Sequence, residues 1–360
     1  MNRNIARLKS RIHGLGAILR PHLKTAKSVE VARRLMESPQ GPAAVSTLKE
    51  AEQFANVGVK DILYAVGIAP GKLGRVAALR AQGVDLAVLL DSLDQARAVA
   101  VKSREIGAPI PALIEIDADG HRSGVKPGDP VLVEIGRALE DGGAALRGVM
   151  AHAGDSYNTR YTAEIVAAAD QERAAVLRSA AGLREVGLPC PIISVGSTPT
   201  AHFGRDLSGV TEVRAGVFVF FDLMMVGLGV CQIDDIALSV LATVIGHQRD
   251  KGQILVDAGW MAMSADRGTA KQEVDQGFGL IGDIDGRPYP DLILSDANQE
   301  HGIISVRTGS GANLPELEVG SLVRILPNHA CATGAQHDRY HVVTDGSRRL
   351  EAIWPRFSGW

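Results

Sequence analysis

The chain has 360 residues and a net charge of −3, and 46% of its residues are hydrophobic and 22% charged. This composition is typical of a globular enzyme larger than one ordinary domain, and the sequence contains no basic block that would indicate a nucleic-acid partner. No apolar run reaches the roughly 18 residues of a membrane helix, and the amino-terminal segment lacks the apolar core of a signal peptide. Three cysteines, an odd number, predict a reducing compartment and therefore a cytoplasmic protein.

Short apolar runs rich in β-formers alternate with longer stretches of helical periodicity from residue 17 onward. Strict alternation of strand and helix predicts parallel strands that are buried on both faces. Eight runs predict a closed (β/α)8 barrel, because a doubly wound sheet would carry a glycine-rich dinucleotide loop after its first strand, and none is present there. The runs are AILRPHLK, AAVSTL, DILYAV, LAVLLD, ALIEID, LRGVMAH, PIISVG and TEVRAG.

The pattern of apolar residues changes after about residue 236, where helical periodicity becomes rare. Apolar runs joined by Gly, Asp and Asn turns predict a second, β-rich domain. We therefore predict a barrel over residues 1–235 and a β-rich domain over residues 236–360. The predicted strands of the second domain lie in IALSVLATVIGHQ, GQILVDAG, LILSDANQEHGIISVR, EVGSLVRILPNH and YHVVTDG.

Four residues at the end of the first predicted strand, three of them polar, stand out within the segment RPHLKTAKS. Active sites of parallel barrels lie at the carboxyl ends of the strands. Most lysines at such a position are solvated or paired with a carboxylate. Here the neighbouring cations and apolar walls favour a neutral amine at Lys24, which suits Schiff-base formation. The four residues are Pro21, His22, Lys24 and Thr25.

The later strand ends add an anion site and further polar groups. Small residues and hydroxyls in SVGSTPT expose backbone N–H groups to an anion, although such turns are usually only turns. Arg214 precedes Gly216, which has no side chain to keep the backbone away from that anion. A phosphate site after strands seven and eight is usual for barrels, and with one amine it suggests pyridoxal 5′-phosphate. The fifth and sixth ends supply Glu115, Asp117, His121, Arg122, His152 and Tyr157.

His329 and Cys331 lie two residues apart in LPNHACATGAQH of the second domain. In an extended segment this spacing points both side chains to one face, so that imidazole and thiolate can bind one metal ion. Two protein ligands leave positions open for water and substrate, which is typical of a catalytic site. The alternative is a buried cysteine beside a turn histidine. Asn298, Gln299 and His301 either line the same pocket or close a turn.

These motifs together resemble the pyridoxal-phosphate enzymes of fold type III, the alanine racemase superfamily. The similarity is to the branch of D-threonine aldolases, D-serine dehydratases and D-threo-3-hydroxyaspartate dehydratases, and it runs along nearly the whole chain. The motifs that carry it are RPHLKTAKS, EIDADGHRSGV, AHAGDSYN, SVGSTPT, EVRAGVFVFFD and PNHACATGAQ.

The resemblance implies a role for each motif. Lys24 is expected to form the Schiff base, and Arg122 to contact the phenolic oxygen of the cofactor. Arg214 is expected at the ring nitrogen, and His329 and Cys331 as ligands of a divalent metal. The full set of expected cofactor-binding residues is Lys24, Arg122, Tyr157, Ser197, Thr198, Arg214, Gly216 and Val217.

Within the branch, VDAGWMAMSADRGTA and ANQEHGI look most similar to the hydroxyaspartate dehydratases, and the aldolases carry an aspartate where this chain has Cys331. The resemblance therefore implies a metal-dependent dehydratase of D-3-hydroxy amino acids, which releases oxaloacetate and ammonia from hydroxyaspartate. D-serine and D-threonine are further expected substrates. The alternatives are a D-threonine aldolase, a non-catalytic cofactor carrier, and a racemase, whose second base could only be Tyr340.

The resemblance also implies a homodimer and an open metal site. Imidazole and thiolate favour zinc, although manganese or cobalt can substitute.

Relatives begin with a short segment before the first helix of this chain, so we expect a closed barrel but an altered edge of the β-rich domain. The group that binds a substrate side-chain carboxylate stays open among His121, Arg160 and the metal, and His22, Lys27 or Arg267 would help to steer an acidic substrate.

Overall fold

A computed structural model describes residues 1–344 and 347–360. By its internal contacts the chain forms two compact units. One comprises Ile5–Phe218 with Gly359–Trp360, and the other comprises Val219–Ser358 with Met1–Asn4. The domain boundary at residues 235 and 236 stays a prediction. None of the helices within the described ranges is both long and apolar enough to cross a lipid bilayer.

The first unit contains eight parallel strands in the order β1-β8-β7-β6-β5-β4-β3-β2. A parallel bridge between His22 and Ala44 joins the two ends of this sheet, and the N–H of Leu23 donates to the Ala44 carbonyl at 2.9 Å. The predicted (β/α)8 barrel is thereby confirmed, with all eight strands in the predicted runs. The strands are β1 Ile18–Pro21, β2 Ala43–Val45, β3 Asp61–Gly67, β4 Asp85–Leu90, β5 Pro111–Ile116, β6 Ala145–Ala151, β7 Ile192–Val195 and β8 Glu212–Ala215.

Helices connect the strands, and local capping sets several of their ends. Ser92 and Gln95 form a reciprocal capping box at the start of α5, and Gly107 ends that helix with φ 65°, a left-handed conformation that glycine adopts readily. The helices are α1 Asn2–Gly14, α2 Val29–Leu35, α3 Leu48–Ala55, α4 Leu73–Ala81, α5 Leu93–Ile106, α6 Val131–Glu140, α7 Thr162–Glu185 and α8 Thr198–Phe203.

The interior of the barrel is apolar on one side and charged on the other. Strands β2 to β6 contribute Ala44, Leu63, Leu89, Leu113 and Met150, which pack in one buried cluster. Strands β1, β7 and β8 instead direct polar side chains inward. These side chains are Arg20, Ser194, Glu212 and Arg214, all of them buried.

Hydrogen bonds connect this polar side of the interior. Arg20 donates to Glu212 at 2.8 Å and to Asp61 at 2.6 Å, and the Ser194 hydroxyl donates to Glu212 at 2.7 Å. The Arg214 guanidinium donates in turn to the Ser194 hydroxyl at 2.8 Å. Buried charges need such partners, because an unpaired ion is costly in a medium of low polarity.

The second unit contains a closed barrel of six strands in the order β10-β13-β12-β11-β14-β9, and a separate hairpin of β15 and β16. Its neighbouring strands are antiparallel, as a β-rich domain with short turns predicts. The strands are β9 Val240–Gln248, β10 Gln253–Val256, β11 Gly279–Gly282, β12 Pro288–Ala297, β13 Gly302–Val306, β14 Leu322–Pro327, β15 Arg339–Val343 and β16 Leu350–Pro355, and the short helices are α9 Leu223–Gly227, α10 Trp260–Met263 and α11 Ala330–Gly334.

Strands β11 and β16 are absent from the sequence prediction. The segment of β11 contains glycines at both ends, which in sequence indicate turns, yet here they allow close strand contact, because a Cβ on Gly279 would lie 2.6 Å from the Leu326 carbonyl oxygen. The predicted strand YHVVTDG corresponds to β15, except that its last two residues, Asp345 and Gly346, lie outside the described part of the chain.

We predict that Glu212→Gln destabilises the barrel far more than Asp61→Asn. The Glu212 side chain is 3% exposed and that of Asp61 50% exposed. Removing the buried partner leaves the Arg20 charge poorly compensated and should lower the free energy of unfolding by about 3 kcal/mol. Removing the charge of the half-exposed Asp61 should lower the free energy of unfolding by about 1 kcal/mol or less. Urea unfolding at pH 7 measures both, and equal losses would contradict the role of the buried pair.

Candidate functional site

Lys24 follows β1 and differs from the other basic residues of its segment. Arg20 is paired inside the barrel, and the Lys27 ammonium lies 3.2 Å from the buried carboxylate of Glu50. The Lys24 side chain is exposed and makes no hydrogen bond or ion pair within residues 1–344 and 347–360. The amine at the barrel rim is therefore available to a ligand.

Two histidines near Lys24 are held neutral. Burial, with the positive charges of Lys24 and Arg214, lowers the pKa of His22 well below its ordinary value. Burial and the same cations, with Arg122, lower the pKa of His152 to about 3. Because Lys24, Arg214 and Arg122 act on both imidazoles, the strand ends β1, β5, β6 and β8 contribute to one electropositive site. Such a site suits an anionic ligand.

Arg122 lies in the loop after β5, where its side chain is 57% exposed. Its Nη2 is 3.3 Å from Oε1 of the buried Glu115, and the Ser123 hydroxyl donates to Oε2 of the same carboxylate at 3.0 Å. Glu115 therefore fixes the base of the loop and leaves most of the guanidinium accessible.

Arg214 is buried beneath the rim. Its guanidinium donates to the Ser194 hydroxyl and to the Ala151 carbonyl oxygen. Burial lowers its pKa, and the charges of Glu172 and Glu212 oppose this shift. An arginine remains protonated in proteins, so the site has a fixed positive charge here.

The loop after β7 has the geometry expected for a strand-to-helix turn. Ser197 caps α8, and its own N–H donates to the Thr200 hydroxyl at 3.1 Å. The N–H of Thr198 is 3.4 Å from the Tyr157 hydroxyl, which lies in the one-turn 3-10 helix after β6. Gly196 has φ +140°, and a Cβ there would lie 2.0 Å from the Arg214 carbonyl oxygen. The loop therefore packs directly against β8, where only glycine fits.

Gly216 has a different environment from the one expected. A Cβ at this position would lie 3.0 Å from Oγ1 of Thr25 and 3.1 Å from the carbonyl oxygen of His22. The missing side chain thus brings the end of β8 against the end of β1. The following residue, Val217, is buried at the start of a short 3-10 helix.

Sequence reasoning missed one residue behind this rim, Glu172. It lies on α7, is 1% exposed, and accepts hydrogen bonds from both loops that follow β6 and β7. The helix contains several acidic residues, and no feature of the sequence distinguishes this one.

The barrel residues fit pyridoxal phosphate. The rim offers one accessible amine at Lys24, accessible cationic charge at Arg122 and buried charge at Arg214. Beside them are the first turn of α8 and the buried Thr198 at its start. These are the groups that an aldehyde, a phenolate and a phosphate monoester require.

The second unit brings His329 and Cys331 together by a different geometry from the predicted one. The segment is not extended, because His329 is the N-cap of α11 and Cys331 lies in its first turn. The two side chains nevertheless interact through a hydrogen bond. The expected proximity of the two ligands is therefore present although its predicted cause was wrong.

Acidic residues surround His329. Its Nδ1 is 2.7 Å from Oδ2 of Asp266. Burial lowers the pKa of His329, but the hydrogen bonds with Asp266 and Cys331 outweigh this effect and raise it to about 11. The buried carboxylate of Asp222 accepts from the N–H of Ala330 at 2.9 Å and fixes the backbone between His329 and Cys331.

The donor set fits an open metal site with two protein ligands. No group of three or more His, Cys, Asp or Glu side chains suited to a metal exists in the described ranges. Since Nδ1 of His329 faces Asp266, Nε2 is the nitrogen left for a metal, and a carboxylate behind a ligating imidazole is typical of such sites.

The segment with Asn298, Gln299 and His301 forms a turn. The N–H of Asn298 donates to the His301 carbonyl oxygen at 2.8 Å.

Tyr340 does not have the properties of a catalytic base. It lies on β15, and its ring centroid is 5.3 Å from that of Phe220. Burial raises its pKa to about 12, although Arg356 opposes this shift. A tyrosine that acts as a base near neutral pH needs a lowered pKa, and the shift of Tyr340 goes in the opposite direction, which argues against a racemase.

Comparison with known proteins gives consistent matches over the whole chain. The alanine racemase N-terminal domain matches residues 1–223, and the serine dehydratase domain matches residues 237–343. The chain is 52% identical to D-threo-3-hydroxyaspartate dehydratase of Delftia sp. (strain HT23), over 100% of this chain and 95% of that protein.

Two solved structures support the same relationship. A cysteine-to-alanine mutant of D-threo-3-hydroxyaspartate dehydratase in the metal-free form has a TM-score of 0.95 and 52% identity, covering 100% of this chain and 95% of that one. The D-threonine aldolase from Filomicrobium marinum has a TM-score of 0.83 and 26% identity, covering 98% of this chain and 91% of that one.

We predict that His152→Asn reduces the acid sensitivity of the cofactor-free protein. The ordinary pKa of histidine is 6.5, and that of His152 is about 3. Below pH 6.5 the unfolded chain therefore binds a proton that the folded chain does not, and stability falls as the pH falls. From pH 7 to pH 5, protonation of His152 in the unfolded chain should lower the free energy of unfolding by about 2 kcal/mol. Urea unfolding at both pH values measures this decrease, and an equal decrease in the variant would show that another group titrates.

Proposed function

The chain belongs to the fold-type III pyridoxal-phosphate enzymes, with an alanine racemase N-terminal domain followed by a serine dehydratase domain, and we propose that it is a metal-dependent dehydratase of D-3-hydroxy amino acids. The proposed main reaction converts D-threo-3-hydroxyaspartate to oxaloacetate and ammonia, with D-serine and D-threonine as further substrates. The observation that carries the proposal is the 52% identity to D-threo-3-hydroxyaspartate dehydratase along 100% of the chain.

Lys24 is the proposed catalytic residue. Pyridoxal phosphate held there would supply the electron sink that acidifies the Cα–H bond of an amino acid. The accessible amine of Lys24 is suited both to hold the cofactor and to remove the Cα proton. Neutral His22 and His152 add no positive charge beside it.

Five further groups are proposed to orient the cofactor. Arg122 would contact its phenolic oxygen, and Tyr157 and Thr198 would meet its phosphate. The N–H groups of Gly216 and Val217 would complete the phosphate site. Ser197 is better suited to shape this site than to bind within it, because its N–H is already used by Thr200.

Arg214 is proposed to face the ring nitrogen. A guanidinium does not give its proton to pyridine, so the ring would stay a weak electron sink. Loss of hydroxide from Cβ would then need assistance. A divalent metal on His329 and Cys331 would supply it as a Lewis acid on the β-hydroxyl.

We propose zinc as this metal, because imidazole and thiolate are ligands that zinc prefers, with manganese or cobalt as substitutes. The sulfur ligand also favours the dehydratase over the aldolases, which carry an aspartate at this position.

The proposed location is the cytoplasm, with which three cysteines outside any disulfide bond of the described chain are compatible. A homodimer is proposed from the family resemblance.

The binding group for a substrate side-chain carboxylate is proposed to be Arg160, His121 or the metal. Lys27 and Arg267 are less suited to steer an acidic substrate, because they pair with Glu50 and Asp275. His22 lacks the charge for this role, since its pKa is lowered by burial.

Ammonia release from a panel of D- and L-3-hydroxy amino acids, with and without chelator, tests the function. We expect ammonia and a 2-oxo acid from the D-substrates, and loss of turnover with chelator. Glycine and acetaldehyde from D-threonine would identify an aldolase instead. Lys24→Ala is the control and should abolish both turnover and the borohydride-sensitive cofactor absorbance. No turnover on any substrate, with a bound cofactor indifferent to chelator, would indicate a carrier.

We predict that Asp266→Asn weakens metal binding. The carboxylate fixes the proton on Nδ1 of His329, and the amide of asparagine can reverse this tautomer and block Nε2. Affinity should fall by about tenfold or more. Competition with a chelating dye on the cofactor-free protein measures this change. Asp275→Asn is the matched control, since that carboxylate pairs with Arg267 instead. Unchanged affinity in Asp266→Asn would contradict the role of the carboxylate.

A further inference from the structure

Glu172 joins two loops that follow neighbouring barrel strands. Its Oε1 accepts from the N–H of Gly196 at 2.8 Å and from the N–H of Ala153 at 3.0 Å. Its Oε2 accepts from the Thr200 hydroxyl at 3.1 Å. Ala153 follows β6, whereas Gly196 and Thr200 follow β7. One carboxylate on the outer helix α7 therefore holds the ends of two strands.

The two backbone donors depend on this carboxylate. Neither N–H has another acceptor within residues 1–344 and 347–360. Both groups lie in the buried base of the rim, where an unpaired N–H is unfavourable. Without Glu172 the loops would have to move in order to find other acceptors.

Hydroxyl groups extend this connection toward the site. The Ser156 hydroxyl donates to the Ala153 carbonyl at 2.6 Å, so its oxygen is free to accept from the Ser197 hydroxyl at 2.9 Å. The Ser197 oxygen accepts in turn from the N–H of Thr200 at 3.2 Å. Because a carboxylate can only accept, the Thr200 hydroxyl donates to Glu172, and its own oxygen lies 3.0 Å from the Ser197 hydroxyl.

The charge of Glu172 is placed behind the site. Burial raises its pKa, while the hydrogen bond from Gly196, the charge of Arg214 and the bonds from Ala153 and Thr200 oppose that shift. A carboxylate facing a phosphate would repel it. Here the carboxylate oxygens accept hydrogen bonds from the side of the loops that faces α7, and the opposite side of the loops stays available to an anion.

We infer that Glu172 is a positioning residue for the phosphate group of the cofactor. It fixes the loops after β6 and β7 relative to each other and so sets the distance between Tyr157 and Thr198. It does not touch the phosphate. This inference rests on the proposed function, because it assumes that pyridoxal phosphate binds at this rim.

Titration of the cofactor-free protein with pyridoxal phosphate and with pyridoxal tests the inference. In Glu172→Gln one oxygen remains for the N–H groups, but the NH₂ group opposes the Thr200 hydroxyl. The dissociation constant for pyridoxal phosphate should rise about tenfold. The constant for pyridoxal, which has no phosphate, should change by less than about twofold. Thr200→Val should reproduce part of the selective loss if Glu172→Gln fails to fold.

Ser103→Ala is the matched control. Its buried hydroxyl donates to the Val99 carbonyl at 2.8 Å and accepts from the N–H of Ile110 at 3.0 Å, at the opposite end of the barrel. This variant should lose stability without losing affinity for the cofactor. An unchanged constant in Glu172→Gln, or equal losses for both ligands, would overturn the inference while leaving the proposed function intact. A wild-type protein that binds neither ligand would overturn both.

Discussion

Two buried arginines determine the arrangement of the barrel interior. Arg20 and Arg214 point inward from neighbouring strands, where water cannot solvate them, so their charges must be balanced by the chain itself. Glu212 and Ser194 connect the two guanidinium groups, and the strands on the opposite side fill the interior with apolar side chains. The charge beneath the candidate site therefore has a fixed place and fixed partners.

The same constraint acts at the rim. Burial, together with the charges of Lys24, Arg122 and Arg214, lowers the pKa of His22 and of His152 and keeps both imidazoles neutral. Carboxylates compensate these cations only from behind, as Glu115 and Glu172 do, and no carboxylate takes the amine of Lys24 in the described part of the chain. The result is an electropositive rim with one accessible amine, which is suited to an anionic aldehyde.

In the second unit, hydrogen bonds from polar side chains hold the segment of His329 and Cys331 in place. Asp222 fixes the N–H of Ala330, and Asn328 donates to Gly277 and accepts from Thr269. Asp266 orients the imidazole of His329. These hydrogen bonds would reduce the ordering required for a metal to bind at the two proposed ligands, His329 and Cys331.

The sequence by itself determined the (β/α)8 barrel, because strand and helix periodicities depend only on local patterns of apolar residues. It also predicted that Lys24 and the polar residues of the other strand ends lie on one rim, since closure of a barrel places all of these ends together. Strand β11 was missed because its glycines indicate turns in sequence, and their role in close strand contact exists only in three dimensions. Glu172 and Asp266 were missed for the same reason: their partners are distant along the chain, and only the folded backbone decides which carboxylates face them.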